Sequence, residues 1–69
     1  MNTQVMAARK QRGLTQAALA KKVKVYRTGI ALIEIHGWVP PADMRERIAK
    51  VLNQPEGVLF GEALRGLRG

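Results

Sequence analysis

Arg27, Thr28 and Leu32, with Tyr26 and Gly29 beside them, are the residues whose types and spacing suggest chemistry. The chemistry is recognition rather than bond making. Arginine can donate two parallel hydrogen bonds to guanine O6 and N7. Threonine can reach a base edge, and a leucine side chain suits the methyl group of thymine. Gly29 would allow close approach, at a cost to helix stability of about 1 kcal/mol relative to alanine. Such a set needs a scaffold that turns it outward as a unit. Ile30 and Ile33 supply one, because their i, i+3 spacing gives a helix an inner face opposite these residues.

A second short helical pattern precedes the first. Leu19 and Ala20 form its inner face, and Val23 and Val25 stand at the joint. Two helices separated by a turn of about three residues make a helix-turn-helix, whose second helix is free to enter a DNA groove. Thr15 is the expected cap of the earlier helix. Gln16 opens that helix, where its amide and the helix N-terminus could both donate to one phosphate. Lys10, near that helix start, and Lys24, in the turn, are the cations best placed for the backbone. With Thr15 and Gln16 they form the candidate phosphate set.

Charge supports a polyanionic partner. The 69 residues carry twelve Lys and Arg against five Asp and Glu, a net charge of +7. Residues 1–36 hold seven of the basic groups and a single acid, Glu34, whereas residues 37–69 hold five basic and four acidic groups. Clustering of this kind is the electrostatic footprint of nucleic-acid binding rather than of general solubility. Enzyme chemistry is not expected. One histidine, no cysteine and scattered acids offer no acid–base pair, no activated nucleophile and no glycine-rich phosphate loop. A lone His36 is too few ligands for a metal, so neither metal nor cofactor is expected. No apolar run approaches the ~18 residues of a membrane span, and Met1–Gln4 has no charged, apolar leader pattern. The expectation is a cytoplasmic protein, associated with the nucleoid when bound to DNA.

Around these residues the chain reads as five helices in one domain, residues 1–69. The first covers about 3–12, capped by Asn2 or Thr3, with Val5, Ala8, Met6 and the stem of Arg12 inward and Gly13 ending it. The second covers 16–22 and the third 27–35. His36–Pro41 breaks the pattern, since proline cannot continue a helix in mid-run. The fourth covers 42–52, with Asp43 in its first turn, Ile48, Ala49 and Leu52 inward, and Asn53 as a left-handed stop. The fifth covers 55–60, opened by Pro55 and burying Leu59 and Phe60, followed by a tail over 61–69. Trp38 is expected to pack in the core. A chain this short buries only about 60% of its unfolded surface and has no disulfide to help. A helical bundle of aliphatic side chains is one of its few routes to a stable fold.

Arg9, Gly13-Leu14-Thr15-Gln16, Leu19-Ala20, Val25, Ile30, Ile33-Glu34 and Pro40 together resemble the helix-turn-helix family of phage repressors, Cro proteins and xenobiotic-response-type regulators. The similarity covers about residues 4–60. It implies an all-α, compact five-helix lambda-repressor-like domain that binds specific double-stranded DNA, usually as a dimer on a two-fold site. It further implies that Arg9 and Glu34 pair between the first helix and the end of the third. Lys24 stands where the family has glycine, Tyr26 where it has Ser or Thr, His36 where it has glycine, and Arg45 where an apolar residue is common. These departures bear on local geometry and sequence preference. Val58, Leu64 and Leu67 are more apolar surface than a short last helix hides, and are the expected dimer interface. A transcriptional regulator of the Cro type is the leading reading. A protein-interaction module, such as the antitoxin of a toxin–antitoxin pair, is the alternative, with the tail and the Trp38–Val39 loop meeting a protein partner. Membrane-surface binding is poorly motivated, because the charges do not oppose a wide apolar face.

Overall fold

The computed structural model describes residues 1–66, and Leu67, Arg68 and Gly69 lie outside it. The described residues form five helices and no strand: α1 (Thr3–Gln11), α2 (Gln16–Val23), α3 (Arg27–His36), α4 (Ala42–Leu52) and α5 (Glu56–Gly66).

Short polar side chains start α1 and α2, and left-handed residues follow α1 to α4. Asn2 Oδ1 accepts from the Val5 N–H at 3.0 Å, and Thr15 Oγ1 accepts from the Ala18 N–H at 3.0 Å. Each bond satisfies a donor that the first turn leaves without an intrahelical partner. Gly13 follows α1 with φ +68°, Gly37 follows α3 with φ +72°, and Asn53 follows α4 with φ +53°. Tyr26 precedes α3 without a side-chain cap, as an aromatic ring must.

The observed bounds differ from expectation mostly at the ends. α1 stops at Gln11, so Arg12 is an exposed cap residue whose stem does not face inward. α2 runs one residue further to Val23, and α3 one further to His36. The large difference is α5, which starts after Pro55 and continues through the expected tail to Gly66. Leu64 packs against the core, and that burial outweighs the poor helix propensity of Gly57 and Gly61. Both glycines look into open space, with nothing within 4 Å of where a side chain would begin.

The core draws on every helix: Val5 and Ala8, Leu19, Ala20 and Val23, Ile30 and Ile33, Met44, Ile48 and Leu52, Leu59 and Phe60. α2 packs on α3 and α4, α1 packs on α3 and α5, and α4 packs on α5, so α3 touches both α1 and α2. Asn2 joins the ends of this arrangement. It is buried, its Nδ2 donates to the Leu59 carbonyl at 2.9 Å, and its backbone N–H donates to the Glu34 carbonyl at 2.9 Å. Asn2→Ala removes the cap and the bond to α5 together. It is expected to cost about 1–2 kcal/mol. In a thermal melt each kcal/mol is worth roughly 4–8 °C for a domain this small, and an unshifted midpoint would contradict the role.

Candidate nucleic-acid interface

Arg9 and Glu34 meet across α1 and α3. Arg9 Nε donates to Glu34 Oε2 at 2.7 Å and Arg9 Nη2 donates to Glu34 Oε1 at 3.0 Å, a two-pronged pair. Arg9 Nη1 donates to the Leu14 carbonyl at 2.8 Å, tying in the strand of chain that leads to α2. Glu34 is wholly buried and Arg9 nearly so. Gln16 completes the group, its Nε2 donating to Glu34 Oε1 at 3.2 Å. Among the described residues no buried side-chain nitrogen or oxygen is left without a partner. One carboxylate therefore fixes the end of α1, the start of α2 and the end of α3 relative to one another. A fully satisfied buried network of this kind rigidifies what it joins.

This geometry changes how Gln16 is read. Its side-chain amide turns inward to Glu34 rather than outward, and the residue is half-buried. What α2 offers outward at its start is the backbone N–H groups of its first turn and the positive end of its dipole. Thr15 is exposed and its hydroxyl oxygen already serves as the cap. Lys10 and Lys24 are both exposed. Lys24 sits in the joint between α2 and α3 with φ +66°, where its side chain is carried on a left-handed backbone that glycine adopts more cheaply.

α3 divides cleanly by face. Ile30, Ile33 and Glu34 are buried, and at 100° per residue the opposite side holds Thr28, Leu32 and Ile35. Arg27 and Thr28 are exposed in the first turn, Tyr26 before it is 87% exposed, and Leu32 is 45% exposed. Gly29 does not belong with them. It is half-buried, and a methyl group there would lie 3.7 Å from Met44 Cε, so that position faces α4. Ile35, 52% exposed, was not among the candidate residues. Its spacing of three from Leu32 and seven from Thr28 puts it in their row.

Trp38 lies outside the core, 41% exposed, against expectation. Pro40 takes the buried place in this loop instead. Arg45 holds it there, donating from Nη1 to the Pro40 carbonyl at 2.7 Å and from Nε to Glu56 Oε1 at 3.2 Å. The Trp38 N–H donates to the Leu32 carbonyl at 3.1 Å, which folds the loop back on the end of α3. The three residues expected at a dimer interface separate. Val58 is half exposed, Leu64 is packed intramolecularly against the core, and Leu67 lies outside the described residues.

The exposed charge of residues 1–36 is of one sign. Glu34 is the single acid of residues 1–36, and it is buried and paired. The exposed charges of that segment are therefore all cations: Lys10, Arg12, Lys21, Lys22, Lys24 and Arg27. No family model matches the chain, and no curated protein or solved structure matches it either.

Proposed function

We propose that this protein is a sequence-specific double-stranded DNA-binding transcriptional regulator, a repressor of the Cro type that acts in the cytoplasm on the nucleoid. α3 enters the major groove, Arg27 and Thr28 address base edges, and the start of α2 with Lys10 and Lys24 rests on the phosphate backbone. The observation that carries this reading is the pairing of an outward face of α3, where Arg27, Thr28 and Leu32 are exposed, with a segment, residues 1–36, whose exposed charges are all cations. Phosphate contact supplies affinity and base contact supplies specificity. The Arg9–Glu34–Gln16 network contributes by holding α3 at a fixed angle to α2. No helix among the described residues is long and apolar enough to cross a membrane.

On this reading the protein acts as a dimer on a palindromic operator, with half-sites about one helical turn, ~34 Å, apart. Selection of bound duplexes from a random pool at about 150 mM salt tests it, since non-specific charge attraction is weak there. The expected result is an enriched two-fold motif. Binding with no preferred sequence that vanishes as salt rises would refute it.

Lys24 gives a test with two readouts. Lys24→Gly relieves the left-handed strain, offset in part by a more flexible unfolded chain, for a net gain of up to about 1 kcal/mol. It also removes one cation from the backbone contact. The melting midpoint should rise while the slope of log affinity against log salt falls by about 0.9. A higher midpoint with an unchanged slope would remove Lys24 from the phosphate set.

A second reading, a module that docks a protein such as a toxin, is favoured by the exposure of Trp38 and Val58. Co-purification with a stoichiometric partner would support it.

A further inference from the structure

The outer row of α3 changes chemistry along its length. Its first turn carries Thr28, with the exposed Arg27 to one side of the row, and these are the donors. From Leu32 to Ile35 the row offers only aliphatic carbon, and Trp38, folded back by its bond to the Leu32 carbonyl, lies beside its end. Leu32, Ile35 and Trp38 are three of the six large apolar side chains exposed among the described residues, and they gather at one end of one helix. A purely hydrogen-bonding reader would have amides or charges here. The surroundings narrow what could cover the row. The exposed charges of α1, α2, α3 and the turns between them are all cations, with Asp43 and Glu46 on α4 the nearest exposed acids in sequence, so these three helices suit an anion-rich surface that also displays apolar groups. The major groove of B-DNA is such a surface, and its apolar group is the C5-methyl of thymine.

We infer that Leu32 and Ile35 read thymine methyl groups, so that this protein selects half-sites in which a hydrogen-bonded base pair is followed by thymines. The inference rests on the DNA-binding reading above and names the class of duplex that site takes. The helical rise of 1.5 Å per residue puts Thr28 and Leu32 about 6 Å apart along the axis, and Ile35 about 4.5 Å further. With base pairs about 3.4 Å apart, the polar first turn covers one or two pairs and the aliphatic row covers the next one or two. Specificity is thus split: Arg27 fixes one base pair by donor geometry, and the aliphatic row discriminates thymine from every base that lacks a methyl.

The experiment takes the duplex enriched from the random pool and replaces its half-site thymines by deoxyuridine, one at a time. This deletes a methyl group and leaves every hydrogen bond of the base pair intact. One or two adjacent positions are expected to lose roughly threefold to fivefold in affinity each, the worth of one buried methyl. Leu32→Ala should erase the thymine–uracil difference at one of them, and Ile35→Ala at its neighbour. Both side chains are about half exposed, and a melting curve of each variant checks that it folds. A specific duplex whose affinity is indifferent to uracil at every position would overturn the inference and leave the regulator intact. A pool that yields no specific duplex would overturn both, and would assign the apolar row to a protein partner.

Discussion

Glu34→Ala is expected to remove most of the stability of this domain. The substitution leaves the Arg9 guanidinium buried without its counter-ion and strips the Gln16 amide of its acceptor. Breaking a buried pair from one side costs about 3–5 kcal/mol. A chain of 69 residues has on the order of 3–10 kcal/mol in total. The melting midpoint should fall by at least roughly 12 °C, or the transition should disappear. An unchanged midpoint would mean that the carboxylate contributes nothing net. Removing both charges, with Arg9→Met and Glu34→Leu together, should cost less than Glu34→Ala alone, because no unpaired charge is left behind. The double variant also separates stability from function. A folded protein with a loosened α2–α3 angle should bind DNA more weakly at every sequence.

Arg27→Ala should do the reverse, leaving the fold and weakening recognition. Arg27 is exposed in the first turn of α3, and surface substitutions there usually change stability by no more than about 0.5 kcal/mol. Affinity for the selected duplex should fall by about 1–3 kcal/mol, roughly 5- to 150-fold, with specificity relaxed at one base pair. Titrating the variant against the selected duplex and single-base variants of it checks both points. Equal loss on all sequences would make Arg27 a phosphate contact.

The parts of the fold written in local chemistry were legible. Thr15 and Asn2 as caps, the left-handed stops at Gly13 and Asn53, and the bounds of α4 at 42 and 52 follow from residues within a few positions of each end. So does the inner face of α3, read from Ile30 and Ile33. What was not legible depends on distant partners. Gln16 looks like an exposed helix start until Glu34 is brought to it, 18 residues along the chain. Asn2 reads as a simple cap, and its bond to Leu59 spans 57 positions. Trp38 loses the core to Pro40 because Arg45 and Glu56, on two other helices, anchor the loop. Ile35 shares a row with Thr28 and Leu32 by spacing alone, but an isoleucine beside Ile33 reads equally well as core until its 52% exposure is seen.

Gly57 and Gly61 bear on the order in which the molecule assembles. Each weakens α5 by roughly 1 kcal/mol relative to alanine, and neither recovers that by contact, since both face open space. An eleven-residue helix with two such positions does not persist alone in water. α5 therefore forms only as Leu59 and Phe60 dock, and its coiling and its docking are one event. α1 and α4, on which α5 packs, present the seat, and the last segment coils onto it. Loss of the Phe60 ring would then release a whole helix rather than open a single void.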